Sequence, residues 1–237
     1  MTDDQTLIQA VEQADSSPRL LAAVRTLANA KIKAGIPTLI AVLSYNNPGA
    51  AVAAVDGLVQ LGDVAVEPLL NLLDEYNYGG RAWAIRALAQ LADPRALDTL
   101  LTAAETDFAL SVRRAAAKGL GGIQWSKLSP EESPSAQGRV LKTLQITSYD
   151  PEWVVRYASV VGLQGLATAV AETQPDYWQQ IIAHFEQLMK DESDLAVPPQ
   201  SQDRWAQTFY VVEPLKHSTV PVLSKLHQAI ALHHWEA

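Results

Sequence analysis

Apolar residues return every three or four positions along most of this chain, and no stretch alternates apolar and polar. A period near 3.6 residues selects amphipathic helices and leaves nothing for strands. Four apolar runs, at 36–43, 66–73, 95–104 and 137–144, predict first helices. Each leads through a polar turn such as "SYNNPG" or "SYDPE" into a second run rich in small residues.

The second runs are copies of one another. "AAVDGLVQLGD" lies over "WAIRALAQLAD", so that Val55, Leu58, Leu61 and Asp63 recur as Ile85, Leu88, Leu91 and Asp93. "RRAAAKGLGGI" and "RYASVVGLQGL" supply a third and a fourth copy. A period of roughly 30 residues built on helix pairs is the mark of a solenoid, because one pair cannot bury its apolar face alone. The expected fold is therefore all-α, an α-solenoid of HEAT-like repeats over residues 36–171. Residues 1–35 are expected to form N-terminal capping helices, and 172–237 a helical C-terminal extension of the same continuous domain. Within that extension helices are expected at 176–190 and 218–235, the latter with an apolar stripe of Val222, Leu226 and Ile230. The stripe suits either a partner or the end of the solenoid. The third interval is longer because "WSKLSPEESPSAQG", residues 125–138, reads as an inserted loop. Gly119, Gly121, Gly122, Gly162 and Gly165 each cost a helix about 1 kcal/mol if internal, so close helix contact or a helix end is expected there.

Composition narrows the function. Of 237 residues 48% are hydrophobic, enough for a core, and the formal charge is −8. An acidic surface repels phosphate backbones and anionic membranes, which argues against nucleic acid and membrane partners. The opening "MTDDQTLIQAVEQAD" has acids where a signal peptide carries lysines, and no apolar run is long enough to span a bilayer. A cytoplasmic protein is expected. The cysteine count of zero removes disulfides, thiolate metal sites and thiol nucleophiles, and it means no ligand can be held here by a thioether. The five histidines, His184, His217, His227, His233 and His234, lack zinc-type spacing, so no metal is expected. Serine-hydrolase, phosphate-loop and paired-carboxylate motifs are also missing.

What remains is a concentration of rings and guanidiniums where the second helices begin. One unit carries Tyr76, Tyr78, Arg81, Trp83 and Arg86, the next Asp107, Phe108, Arg113 and Arg114, and the fourth Tyr149, Asp150, Trp153, Arg156 and Tyr157. Arg81, Arg113 and Arg156 hold equivalent repeat positions and form a row. Aromatic rings beside such a row suit a planar conjugated ligand with carboxylates. The same arginines equally suit a structural task, pairing with Asp63, Asp93, Asp107 or Asp150 of a neighbouring unit to hold the register. Gly79 and Gly80 would let backbone approach a ligand closely.

The repeats, above all "YNYGGRAWAIRALAQLADPRALDTLL" and "DFALSVRRAAAKGLG", resemble the PBS-lyase HEAT-like repeats of the E/F-type phycobilin lyases. The likeness covers about 36–166, and the opening "LIQAVEQADSSPRLLAAVR" also resembles the F-type subunits. It implies a heterodimer with an E-type lyase subunit that transfers phycocyanobilin, a tetrapyrrole with two propionates, to a cysteine of the phycocyanin alpha subunit. Phycocyanobilin would then be a substrate, and no cofactor would be covalently bound. The resemblance further implies propionate contacts for Arg81, Arg86 and Arg113, with Arg156 in the same row. It implies ring contacts for Tyr76, Tyr78, Trp83 and Trp153, and an acid, Asp107 or Asp150, close to the pyrrole nitrogens. Isomerising members of the family carry a His–Cys motif where this chain has "YNYGGR", which implies attachment without isomerisation. Two alternatives stay open: a bilin-detaching, NblB-like repeat protein of phycobilisome degradation, and a scaffold without chromophore.

Overall fold

The computed structural model describes residues 4–74 and 78–194, with side chains placed up to residue 188 except at 74–79. Tyr76 and the expected helix at 218–235, with Val222, Leu226 and Ile230, lie outside the described residues. Within them are eleven α-helices and no strand: α1 (Asp4–Glu12), α2 (Ser17–Ala30), α3 (Ile36–Val42), α4 (Pro48–Leu61), α5 (Val66–Asp74), α6 (Tyr78–Leu91), α7 (Leu97–Thr106), α8 (Leu110–Leu120), α9 (Glu132–Thr147), α10 (Trp153–Val170) and α11 (Pro175–Asp194). The helix-pair reading holds for α1 to α8. Odd-numbered helices α1 to α7 each lie against the even-numbered helix that follows, while α2, α4, α6 and α8 stack successively on one another. α3 meets α5 and α7 meets α9 in the other layer. The contacts divide the described residues into two compact units, with the boundary between Leu166 and Ala167. The first pair, α1 and α2, stacks like the others, and Val24, Leu27 and Ala28 of α2 are buried.

Local chemistry sets the boundaries. Pro48 opens α4 directly after Asn47, whose side-chain oxygen accepts the Ala50 N–H at 3.0 Å. The Asn47 amide also donates to the Ser17 hydroxyl at 2.9 Å, tying one pair to the previous one. Asn is a strong cap because its oxygen replaces a missing helical acceptor. The inserted stretch departs from expectation: only its first part is loop, and α9 already begins at Glu132. Ser129 and Glu132 form a reciprocal capping pair, the serine hydroxyl accepting the Glu132 N–H and the glutamate accepting the Ser129 N–H, both at 3.2 Å. "SPEE" is thus a helix start. The Ser129 hydroxyl, which donates to the carboxylate at 2.9 Å, and the Ser129 N–H hold the Glu132 carboxyl below its usual range.

Small residues allow the stacking. A Cβ on Gly119 would sit 2.5 Å from the Ala89 methyl of α6, and one on Gly162 would sit 2.5 Å from the Ala117 carbonyl oxygen of α8. The glycines therefore mark helix contacts, as expected of them. The most apolar stretch, 48–73, is long enough by composition to cross a membrane. It is two helices, broken at Gly62 with φ 74°. The longer is 14 residues, about 21 Å, short of a bilayer core.

The loop before α9 also clamps the stack. Lys127 donates to Asp63 at 2.5 Å and to Asp93 at 2.8 Å, so one ammonium joins the ends of two successive second helices. Arg95 adds Nε to Asp93 at 2.8 Å and Nη2 to the Asp63 carbonyl at 3.0 Å. The Asp93 side chain is 3% exposed. Hydrogen bonds from Arg95, helped by Lys127 and opposed by burial, hold its carboxyl far below the normal range. A depressed folded pKa stabilises above the unfolded value, about 4, and that contribution is lost as pH falls from there toward the folded value. Thermal unfolding between pH 6 and pH 3 should therefore show a falling midpoint. Asp93→Asn should start lower at pH 6 and fall less; an equally steep fall in the variant would place the acid sensitivity elsewhere.

Candidate functional site

The second helices carry two distinct rows of side chains. The first is the row of Arg81, Arg113 and Arg156, which points along the stack. Arg113 on α8 is held on both sides. Its Nη1 donates to the carbonyls of Asp107 at 2.8 Å and Phe108 at 3.2 Å, in the turn before its own helix. Its Nε and Nη2 grip the Asp150 carboxylate of the following unit at 2.8 and 3.1 Å. Asp150 in turn accepts the Glu152 N–H at 2.8 Å, just before α10. The arginine is 13% and the aspartate 9% exposed, so this is a buried fork. The pairing raises the Arg113 pKa further still.

Arg81 on α6 makes the corresponding approach to Asp107, with Nη2 2.6 Å from Oδ2. The contact is close but not aligned as a hydrogen bond, which leaves that buried oxygen without one. Charge attraction needs only the distance, so the pair still counts as an ion pair. Asp107 Oδ1 accepts the Ala109 N–H at 2.9 Å. Asp107 and Asp150 thus brace the turns before α8 and α10 and serve as inter-repeat counterions. The structural alternative for the arginine row describes Arg113 completely and Arg81 in large part. Arg156 repeats only half of the pattern: its Nη1 donates to the carbonyls of Asp150 and Pro151, both at 3.0 Å.

The second row lies on the open face of the same helices. Each helix turns its Val55/Leu58, Ile85/Leu88, Ala117/Leu120 or Val160/Leu163 positions into the core. A side turned up to about 110° from these, at helical i, i+4 spacing, carries Val52 and Asp56 on α4, Ala82 and Arg86 on α6, Arg114 and Lys118 on α8, and Trp153 and Tyr157 on α10. Asp56, Arg86 and Lys118 are exposed, and Arg114 is half-buried. The Arg86 guanidinium lies over the Trp83 ring, 5.6 Å from its centroid, within cation–π range. Trp153 is 43% and Tyr157 37% exposed, and Phe108, at 77%, and Tyr149, at 53%, stand in the turns beside them. A basic centre flanked by rings is thus set into an acidic chain.

Of the predicted residues, Trp83, Arg86 and Trp153 belong to this open face, whereas Arg81, Arg113, Asp107 and Asp150 belong to the pairing row. Arg114 and Lys118 were not singled out as site residues. Position 86 recurs as 118 in the repeat, which was the available signal. Tyr78, Gly79 and Gly80 are helical, in the first turn of α6, so the glycines do not shape a loop. Only His184 of the histidines is described, and no group of three metal-type ligands occurs among the described residues.

This arrangement can hold a flat, conjugated, dianionic molecule by stacking and by charge. It offers no thiol, since the chain has no cysteine. The chain is also similar to known proteins. The HEAT repeats family matches residues 66–164, and the PBS lyase HEAT-like repeat matches 50–75. A phycocyanobilin lyase subunit beta from Pseudanabaena tenuis is 56% identical over 199 residues, covering 83% of this chain and 71% of that protein. A phycocyanin alpha phycocyanobilin lyase, CpcF, from Synechocystis is 51% identical, covering 81% and 88%. The solved complex of CpcE and CpcF of phycocyanin lyase from Nostoc superposes with a TM-score of 0.60 at 45% identity, covering 83% of this chain and 98% of the matched one.

Proposed function

The chain belongs to the family of phycocyanobilin lyase subunits of the CpcF type, and from that kinship we infer that it works as the F subunit of a two-chain phycocyanobilin lyase. With an E-type partner it attaches phycocyanobilin to a cysteine of the phycocyanin alpha subunit. The observation that carries this is identity above 50% to such subunits across four fifths of the chain. A detachment factor or a plain scaffold is not favoured by any observation of comparable weight.

The chemistry fits what the open face offers. Attachment adds a thiol across the ethylidene double bond of ring A: sulfur bonds to the exocyclic carbon and the proton ends on the pigment. No oxidant, reductant or leaving group is needed, and the acceptor sulfur comes from the client protein. The lyase is left with holding the bilin in one shape, shielding it and aiming it, which are positioning and electrostatic effects. We assign the pigment to the open face, with Trp83, Trp153 and Tyr157 against its rings and Arg86, Arg114 and Lys118 toward its propionates. In this assignment Arg81, Arg113, Asp107 and Asp150 act on the bilin only through the backbone that they hold in place.

Coexpression tests both levels. This chain, an E-type subunit, a phycocyanobilin pathway and a phycocyanin alpha subunit are combined, and covalent bilin is read by zinc-enhanced fluorescence on a denaturing gel. Attachment should vanish when either lyase chain is omitted; attachment without this chain would overturn the function. Arg86→Glu with Lys118→Glu should lower attachment at least about tenfold, since one charge-assisted contact contributes about 1.5–3 kcal/mol. Unchanged attachment by that folded, partner-binding variant would remove this face from the site.

A further inference from the structure

The arginine row contains its own demonstration of what it binds. Arg113 uses Nη1 on the two carbonyls of its preceding turn and presents the Nε/Nη2 edge to a carboxylate in fork geometry. Arg156 sits one repeat later and uses Nη1 on the equivalent carbonyls, those of Asp150 and Pro151. Its Nε/Nη2 edge has no acceptor among the described residues. It is half-buried, and Trp153 and Tyr157 lie on the same turn of α10. The guanidinium is thus pinned in the carboxylate-binding orientation without the carboxylate. A fork fixed on one side loses little freedom when it closes on an acid, so binding is stronger than at a free surface arginine.

We propose that Arg156, in the arginine row beside the open face, is the carboxylate receptor for the ligand held there and that the carboxylate it takes is a propionate of the bilin. This rests on the functional reading above. It separates Arg156 from Arg81 and Arg113, whose edges already hold acids of the fold. It also explains why Asp150 is buried so thoroughly: the carbonyls of Asp150 and Pro151 aim Arg156, and the Arg113 fork fixes that turn.

The test uses this chain purified with its E-type partner and two probes, phycocyanobilin and its dimethyl ester, with binding read from absorbance titrations. Arg156→Gln should weaken phycocyanobilin binding about tenfold or more and leave ester binding unchanged. Arg156→Lys should recover only part of the loss, because an ammonium cannot form the fork. Complex assembly, followed by sedimentation, should not change. If Arg156→Gln instead weakens assembly tenfold and spares bilin affinity, the fork stands but its carboxylate is an acidic side chain of the partner. If neither quantity moves, the receptor assignment is wrong. The same holds if Arg156→Gln lowers the melting temperature of the chain alone as far as Arg113→Gln does, because the edge is then already filled by the fold. A wild-type complex that assembles but binds neither probe would refute the bilin reading, and the assembly measurement would still decide the fork.

Discussion

Truncating Asp150 to alanine is expected to cost about 3–5 kcal/mol of folding stability, a large share of what a domain of this size holds. The reason is what the carboxylate leaves behind. Arg113 is 13% exposed and points its Nε and Nη2 at Asp150 alone, so its charge would stay buried without a counterion. The Glu152 N–H at the start of α10 would lose its acceptor as well, worth about 1 kcal/mol by itself. Arg113→Met should also destabilise, by about 3 kcal/mol, because it strands the carboxylate instead. The decisive quantity is the coupling. Asp150→Ala combined with Arg113→Met removes both charges, and its loss should fall short of the summed single losses by at least about 1.5 kcal/mol. Denaturant melts of the four proteins measure it. Additive losses would mean that the fork does not join the repeats, and the buried geometry would need another explanation.

The second large effect runs against helix propensity. Gly162 lies inside α10, where alanine would ordinarily gain about 1 kcal/mol. Its added methyl would sit 2.5 Å from the Ala117 carbonyl oxygen and 2.9 Å from Leu144 Cδ2. Backbone cannot move aside as the end of a side chain can, so α8 and α10 must separate. The expected result for Gly162→Ala is a net loss of about 2–3 kcal/mol. Gly49→Ala, in the first turn of α4, provides the matched control. Its methyl would meet nothing nearer than 3.6 Å, and the variant should be neutral or slightly stabilised. Equal midpoints for the two variants would show that α8 and α10 are not in backbone contact. Because the open face spans α6, α8 and α10, Gly162→Ala should also lower bilin attachment, through the spacing of the helices that bear the cations and rings.

Helix, pair and repeat were all legible in the sequence, because each rests on local spacing. Val55, Leu58 and Leu61 announce a buried stripe through their three-residue intervals, and the recurrence of the stripe announces stacking. The start of α9 is legible too, since "SPEE" carries the capping pair, but the prolines and serines that dominate the stretch give it the composition of a loop. The glycines were placed at close contacts, although sequence could not say with what. The family, with the attachment chemistry it brings, was also within reach through "YNYGGRAWAIRALAQLAD".

The division of labour among like residues was decided only by the tertiary structure. Arg113 and Arg114 are neighbours in sequence, yet the helix turns them about 100° apart. One meets Asp150 in the pairing row, and the other lies on the open face with Lys118. Arg113 and Arg156 occupy one repeat position, and composition cannot tell them apart; the difference is an aspartate supplied by the next unit in one case and by none of the described residues in the other. Sequence determined the periodic part of this protein, since periodicity is a property of neighbours along the chain. What each charge faces depends on residues about 40 positions away, and only the stacking of the helices brings those together.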